Sequence, residues 1–348
     1  MASWDVLIDK SDLRRAEVRP APDAPLADGQ ARLAVESFAL TANNITYGVI
    51  GDAFGYWKFF PAPEGLGRIP VWGFARVVES RAPDAPVGLR IFGYLPMSSH
   101  AVMTLVKAGS GFVDAAPHRA ELPPTYNAYA EAPADPSDDH RALLRPLYMT
   151  SFLLDDFLSE EAGLHTLVLS SASSKTAMGL AWLARRRGLK VVGLTSPANR
   201  DRLAGFGIYD LLVTYDEAAT LKVDGPAAYV DFAGDRSVTA AVHAALGDDL
   251  VRSLIVGGTH WEARGGDTPL AGVQPVLFFA PDQIRKRAKD WGAAELDARF
   301  ADSMRAFVAD NSWLRLVPHR GAEGLKDAWN AVLEGRATPD EGHIIRLD

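Results

Sequence analysis

Between Thr166 and Leu180 a short apolar strand signal, Thr166 to Ser170, runs into a turn of tiny residues, Ser171, Ala172, Ser173 and Ser174. A helix signal opened by Lys175 and Thr176 follows. This order has a chemistry. A helix N-terminus carries unpaired amides and the positive end of the helix dipole, and small side chains let an anion reach them. The ligand such a turn suits is a diphosphate, with serine hydroxyls as extra donors and Lys175 or Thr176 adding charge or a hydrogen bond. The usual dinucleotide-binding turn has three glycines. Here Ser171, Ser173 and Ser174 stand in that region, and Gly179 lies deeper, where a helix packs closely on its sheet. The same residues also admit a plain, well-capped helix start. A phosphate loop of the nucleotide hydrolases, with Asp231 as metal holder, is a third reading, but its two glycines would fall on Leu169 and Ser174.

The end of the next strand signal, Lys190 to Leu194, separates two cofactors. A site for NAD places Asp or Glu there to hold the ribose hydroxyls, whereas the extra phosphate of NADP(H) calls for hydroxyls or a cation. The chain offers Thr195, Ser196, Asn199 and Arg200, with no carboxylate at the strand end, so NADP(H) is the expected cofactor. Ligands of such sheets lie at the carboxyl ends of the strands. Tyr215, Phe232 with Ala233, Gly257 with Gly258, and Phe278 with Phe279 are therefore counted among the cofactor-binding residues, flanked by Asp231, Gly234, Thr259, His260 and Ala280.

Such a turn needs a parallel sheet to hold it, and the pattern around it supplies one. Apolar strand signals at 166–170, 190–194, 211–214, 227–232, 250–256 and 275–279 alternate with helix signals at 175–187, 197–205 and 236–246. Strands this apolar must be covered on both faces, so the expectation is a doubly wound parallel α/β sheet. Upstream, short strands broken by Pro and Gly (31–38, 70–79, 90–95 and 101–107) predict a small barrel or sandwich. Residues 117–139, rich in Pro, Ala and Asp, read as a surface crossing into a helix at 141–161. After the sheet come helical stretches at 282–287 continuing into 295–308, and at 323–334. A last extended segment, 343–347, is expected to return to the first domain. The domain reading is 1–140, 141–280 and a C-terminal segment 281–348.

Composition narrows the chemistry. The 348 residues include no cysteine, which removes disulfides, thiolate nucleophiles and every cysteine-held zinc or iron–sulfur site. The eight histidines show no HExxH and no helical pairing with acids, so no metal is expected. A net charge of −8 with scattered arginines argues against nucleic acid as a partner. No stretch has the apolar length of a membrane span, and the first ten residues carry Asp5 and Asp9 rather than an export signal, so a cytoplasmic protein is expected.

Three segments carry a family likeness. Ala39 to Tyr47 is similar to the Asn-containing active-site strand of the medium-chain dehydrogenase/reductase superfamily. Val71 to Val78 resembles its Gly-then-Val-Val strand, and Glu341 to Arg346 its closing strand. Together with the order of domains, the chain resembles that superfamily over nearly its whole length, and most of all its zinc-free quinone and enoyl reductases. More narrowly, Leu40 to Tyr47 and Phe278 to Gln283 look like a subfamily of unknown function. The resemblance implies a Rossmann-type doubly wound sheet plus an N-terminal GroES-like β-barrel domain completed by the C-terminal tail. It also implies hydride delivery from NADPH, no catalytic metal and a homodimer. Carried onto this chain, Asn43 or Asn44 and Tyr47 fall where that superfamily lines the nicotinamide, with Tyr47 as the donor to a substrate carbonyl.

The function expected is thus a zinc-independent, NADPH-dependent oxidoreductase that reduces a quinone or an activated C=C or carbonyl of a small apolar or aromatic substrate. Phe54, Tyr56, Trp57, Phe59 and Phe60 are candidates for the pocket wall. A non-catalytic NADP(H)-binding sensor or scaffold is the alternative, and a nucleotide hydrolase a lesser one.

Overall fold

Where apolar residues alternate between Pro and Gly in the N-terminal part, they form strands in the computed structural model, which describes residues 3–21, 24–256 and 270–347. β1 (Trp4–Asp9) and β2 (Asp12–Pro20) make a hairpin, and β3 (Ala31–Leu40) runs straight into α1 (Ala42–Val49). β4 (Leu66–Gly67), β5 (Pro70–Ser80), β6 (Arg90–Pro96), β7 (His100–Met103), β8 (Leu105–Ala108), β9 (Gly111–Asp114) and β10 (Ala128–Glu131) follow. β3 pairs with β5, β5 with β6, β6 with β10, β10 with β9 and β9 with β8. β7, joined to β8 through Thr104, pairs back onto β3. The ladders thus run in a circuit interrupted at Thr104, a barrel-like arrangement around Leu33, Val35, Val71, Val77, Ile91 and Leu95. Pairing strands into a circuit leaves few open edges.

The Pro-rich stretch is more than a crossing. Ala128–Glu131 is a strand of this sheet, and Tyr129, buried on it, is the only one of its four residues turned into the core. One inward residue among prolines gives no alternation to read. Tyr129 lies across β6 because position 93 is glycine: a Cβ there would come within 2.3 Å of its ring. Its hydroxyl donates to the Tyr94 carbonyl (2.8 Å) and accepts from Arg119 (2.8 Å), itself in a buried ion pair with Asp114 (3.0 Å).

α2 (Asp138–Leu158) contains Pro146, and the chain divides there into two compact units, residues 1–145 with 314–348, and residues 146–313. The second unit contains β11 (Thr166–Leu169), α3 (Lys175–Arg186), β12 (Lys190–Thr195), α4 (Pro197–Phe206) and β13 (Leu211–Thr214). It continues with β14 (Ala227–Asp231), α5 (Arg236–Leu246), β15 (Leu250–Val256), β16 (Val276–Phe278), α6 (Ala280–Trp291) and α7 (Ala293–Asp310). Its six strands are all parallel in the order β13-β12-β11-β14-β15-β16, so the winding reverses between β11 and β14. Alternate residues feed separate cores: Leu167, Leu169, Ala228 and Val230 one, and Val168, Ala227 and Tyr229 the other. That is the two-sided burial the apolar strands required.

The tail corrects one boundary. β17 (Arg315–Arg320), α8 (Gly321–Leu333) and β18 (Glu341–Arg346) belong to the first unit, where β18 pairs antiparallel with β3. Residues 281–313 do not return with them. α6 and α7, separate helices with a break at Gly292, stay with the second unit, and there Phe307 stacks on Tyr148 (4.8 Å) and meets Trp182 edge-on (5.5 Å). No helix among the described residues is long and apolar enough to cross a membrane.

Candidate functional site

The serine turn sits at the carboxyl end of β11, beside the point where the winding reverses. Ser174 caps α3, its Oγ accepting from the Ala177 amide (3.2 Å). Ser171 has φ +48°, and among the described residues no other non-glycine has a positive φ. The backbone shape that normally calls for glycine is therefore kept by a serine, at a cost of about 1–2 kcal/mol. Ala172 is fixed by bonds from its amide to the Leu194 carbonyl (3.0 Å) and from the buried Tyr209 hydroxyl to its carbonyl (2.7 Å). The Ser171 amide donates to Tyr215 Oη (3.2 Å), while the amides of Ser173 and Thr176 have no acceptor among the described residues. Gly179 lets α3 press onto α2: a Cβ there would sit 2.8 Å from Ser151 Oγ and from the Tyr148 ring. Because a β-branched residue is strained further at positive φ, Ser171→Val should lower stability in urea by about 1–3 kcal/mol, and Ser171→Gly should not.

Beneath the turn, Ser170 and Asp231 tie β11 to β14 at the reversal. Ser170 Oγ donates to Asp231 Oδ1 (2.7 Å) and accepts from the amides of Phe232 (2.8 Å) and Ala233 (3.0 Å). The same Oδ1 accepts from the amides of Ala233 (2.9 Å) and Gly234 (3.1 Å), and Oδ2 accepts from Thr239 (3.2 Å). Asp231 is buried and both its oxygens are engaged, so it is a fastening of the sheet and not a metal holder. This removes the partner that the nucleotide-hydrolase reading needed.

At the end of β12, Thr195 is buried and its Oγ1 has no partner among the described residues. Ser196 starts α4 without spending its hydroxyl on the cap. Asn199 and Arg200 lie on the first turn of α4, and Arg200 pairs with Glu217 (3.3 Å). Glu217 is fixed by bonds from the Thr214 amide (2.9 Å) and hydroxyl (2.8 Å), which hold its carboxyl below its ordinary ionisation range, with Arg200 adding to the effect. The orphaned Thr195 hydroxyl and the Arg200 guanidinium, paired with Glu217 in the free protein, lie at the end of a strand that itself carries no Asp or Glu, and with the free amides of Ser173 and Thr176 after β11 they fit a phosphorylated dinucleotide.

In the first unit the segment around Tyr47 departs from the strand expected. β3 ends at Leu40, and Asn43, Asn44 and Tyr47 lie on α1. Helical spacing puts Asn43 and Tyr47 on one face, and Asn43 Nδ2 donates to Tyr47 Oη (2.7 Å). Asn44 is spent elsewhere. Its Oδ1 accepts from the Thr41 amide (2.8 Å), and its Nδ2 donates to the Pro70 carbonyl (2.9 Å), so it secures the start of the helix. Trp72 Nε1 also donates to Tyr47 Oη (3.4 Å). Both contacts are acceptances, which leaves the Tyr47 proton to give. Burial pushes the Tyr47 hydroxyl well above its ordinary ionisation range, with neighbouring Tyr126 adding to the shift.

Around Tyr47 lies an aromatic cluster of Tyr56, Phe59, Phe60 and Tyr94, with Phe54, Trp72 and Tyr126 against it. Trp57 belongs instead to the barrel core, beside Gly51 and Gly67. Trp72, Tyr94 and Tyr126 were not among the expected wall residues. The available signal was Tyr94 itself, a ring with a polar tip in a strand that after Arg90 is otherwise apolar or glycine.

The other expected positions divide. The amides of Phe232 and Ala233 are committed to Ser170, as above. Phe278 is buried against Phe157 (5.6 Å) in the core, whereas Phe279 is largely exposed. Gly257 and Gly258, with Thr259 and His260, lie outside the described residues. Among the described residues no group of three or more His, Asp or Glu is placed to hold a metal ion.

A family model described as "Protein of unknown function (DUF2855)" matches residues 38–338. No curated protein matches the sequence. Solved structures do match in fold. CurA from Vibrio vulnificus, crystallised in complex with NADPH, is 13% identical with a TM-score of 0.65, over 99% of each chain. The yhdH oxidoreductase from Salmonella enterica, in complex with NADP, is 14% identical with a TM-score of 0.61, over 99% of this chain and 100% of that one. The quinone oxidoreductase from Coxiella burnetii is 13% identical with a TM-score of 0.59, over the whole of both chains. At these identities the likeness is one of fold alone: the chain has the fold of these proteins, as the resemblance to medium-chain dehydrogenases/reductases implied.

Proposed function

The chain belongs to the DUF2855 family, and on that premise we propose that it is an NADPH-dependent oxidoreductase reducing a quinone or an activated C=C or carbonyl of a small apolar or aromatic molecule. The observation that carries the reading is the turn from Ser171 to Thr176, with its left-handed serine, its free amides and the helix N-terminus behind it. The fold shared with CurA in complex with NADPH and with yhdH in complex with NADP supports the choice of cofactor. When bound, NADPH supplies a hydride. The residues of this chain do the rest. The amides of Ser173 and Thr176, with the hydroxyls of the turn, receive the diphosphate, and Tyr215 steadies the turn through the Ser171 amide. Thr195, Ser196, Asn199 and Arg200 receive the extra phosphate. Tyr47, oriented by Asn43 and Trp72, hydrogen-bonds or protonates the substrate oxygen as charge develops on it. With no cysteine in the chain, zinc held by thiolates has no part in this reading. The reading is of a cytoplasmic homodimer, and mass by light scattering checks the dimer.

Titration with NADPH, NADH and Mg-ATP followed by thermal shift tests the assignment. NADPH should raise Tm most, since a ligand stabilises in proportion to the logarithm of its concentration over Kd. A larger shift with Mg-ATP would overturn it, and NADPH binding with no oxidation across quinones, enones and enoyl thioesters would turn the assignment to a sensor. Arg200→Ala should weaken NADPH roughly tenfold, the worth of one charge-assisted bond, and leave NADH nearly unchanged. The Tm of the free protein should hardly move, because the Arg200–Glu217 pair is exposed and contributes about 0–1 kcal/mol.

A further inference from the structure

Four tyrosines meet in the first unit. The rings of Tyr47, Tyr56, Tyr94 and Tyr126 are close neighbours, with centroids 4.6 Å apart for Tyr47 and Tyr56, 5.6 Å for Tyr47 and Tyr94, and 4.9 Å for Tyr94 and Tyr126. The hydroxyls of Tyr56 and Tyr126 pair with each other (3.3 Å). That of Tyr94 is fully buried and has no hydrogen-bond partner among the described residues. It approaches the Tyr47 hydroxyl closely enough to favour the ionised form of Tyr47, but the pair falls short of hydrogen-bond geometry.

A buried hydroxyl without a partner costs stability, and phenylalanine would fill the same space against Phe59 (5.1 Å) and Trp72 (5.4 Å) without that cost. A group kept at a cost in the free protein is one whose partner arrives with a ligand. We propose that the hydroxyls of Tyr47 and Tyr94 form a two-donor site for one oxygen acceptor, a carbonyl or phenolic oxygen carried on an apolar, ring-bearing molecule. The proposal rests on the reading of Tyr47 as the substrate-side donor and names a second residue and the ligand class. Tyr47 brings an uncommitted proton because its oxygen only accepts, from Asn43 and Trp72. Tyr94 brings one because its hydroxyl binds nothing. Burial keeps both phenols neutral. Arg119, a cation stacked on Phe60 of this cluster (4.6 Å), is committed to Asp114 and Tyr129. Two neutral donors without a cation suit a carbonyl, an enolate or a phenolate better than a carboxylate or phosphate. Aromatic walls give the rest of the ligand its apolar surroundings.

The test uses 4-nitrophenol as probe, at a pH where it is the phenolate, with nitrobenzene as the partner lacking the oxygen, both by calorimetry on the whole protein. Tyr94→Phe and Tyr47→Phe should each weaken the phenolate roughly tenfold or more, as expected for a lost bond to a charged acceptor, and leave nitrobenzene unchanged. Tyr94→Phe should melt no lower than the wild type, since it removes an unpartnered group, and this separates lost binding from lost folding. A Tyr94→Phe protein that binds the phenolate as the wild type does, or a wild type that does not bind it, overturns the proposal. NADPH titrated into the same samples keeps the two readings apart. A Tyr94-dependent phenolate site without NADPH binding sinks the reductase and keeps this site, whereas NADPH binding with a silent Tyr94 does the reverse.

Discussion

Tyr47→Phe is expected to lower turnover of the best quinone or enone by roughly 10²–10⁴-fold, the usual worth of a positioned acid. NADPH affinity should stay as it was. The substitution removes the oxygen held by Asn43 (2.7 Å) and keeps the ring that packs on Tyr56, while the cofactor turn belongs to the other unit. The pH profile adds a second readout. Free tyrosine loses its proton near pH ~10, and burial moves Tyr47 well above that. The wild-type rate should therefore show no falling limb from this group between about pH 6 and 9, where the neutral donor persists. Steady-state kinetics beside an NADPH titration decide the matter: equal turnover in the variant removes Tyr47 from the chemistry, and a matching loss of NADPH affinity points to disturbed folding instead.

Asp231→Ala should cost about 3–5 kcal/mol in urea unfolding, because the buried Ser170 hydroxyl and the Gly234 amide lose their acceptor, while the Ala233 amide keeps only Ser170 Oγ and the Thr239 hydroxyl only the Asp235 carbonyl. Ser170 Oγ, the amides of Ala233 and Gly234, and Thr239 Oγ1 all converge on this carboxylate. Asp231→Asn, which keeps the shape and one acceptor oxygen, should lose less. NADPH binding should weaken in the Ala variant as well, since Ser170 adjoins the turn and would lose its anchor. An Ala variant as stable as the wild type would show that these bonds do not fasten the two strands at the reversal of the winding.

The serine turn is legible in the sequence because it is local. The strand, the small residues and the helix start follow one another within 166–180, and their order alone describes an anion-binding corner. Serine at position 171 looked like a departure from the glycine pattern, and the positive φ shows that the backbone shape is kept although the residue type is not. The end of β12 was legible for the same reason: Thr195, Ser196 and Arg200 are neighbours in the chain. Around Asn43, Asn44 and Tyr47 the sequence leaves two registers open. The helix settles them, since a residue four before Tyr47 shares its face and a residue three after Thr41 faces back to close the first turn.

What the sequence determined by itself is whatever depends on near neighbours. The absence of cysteine limits the chemistry, the apolar periods give two kinds of domain, and the tiny residues at 171–174 mark the turn that α3 opens on. What only the tertiary structure decided is which distant side chains share a pocket. Tyr94 stands beside Trp72 because β5 and β6 pair in a register that sets those two residues opposite each other. Asp231 became a fastening because β14 lies next to β11, and Tyr129 reached the core because β10 crosses Gly93. Ladder register is set by the packing of whole strands, and shifting it by one residue would turn each of these side chains to the opposite face. No local run of residues carries that choice, so the aromatic cluster comes into being only when the sheets form.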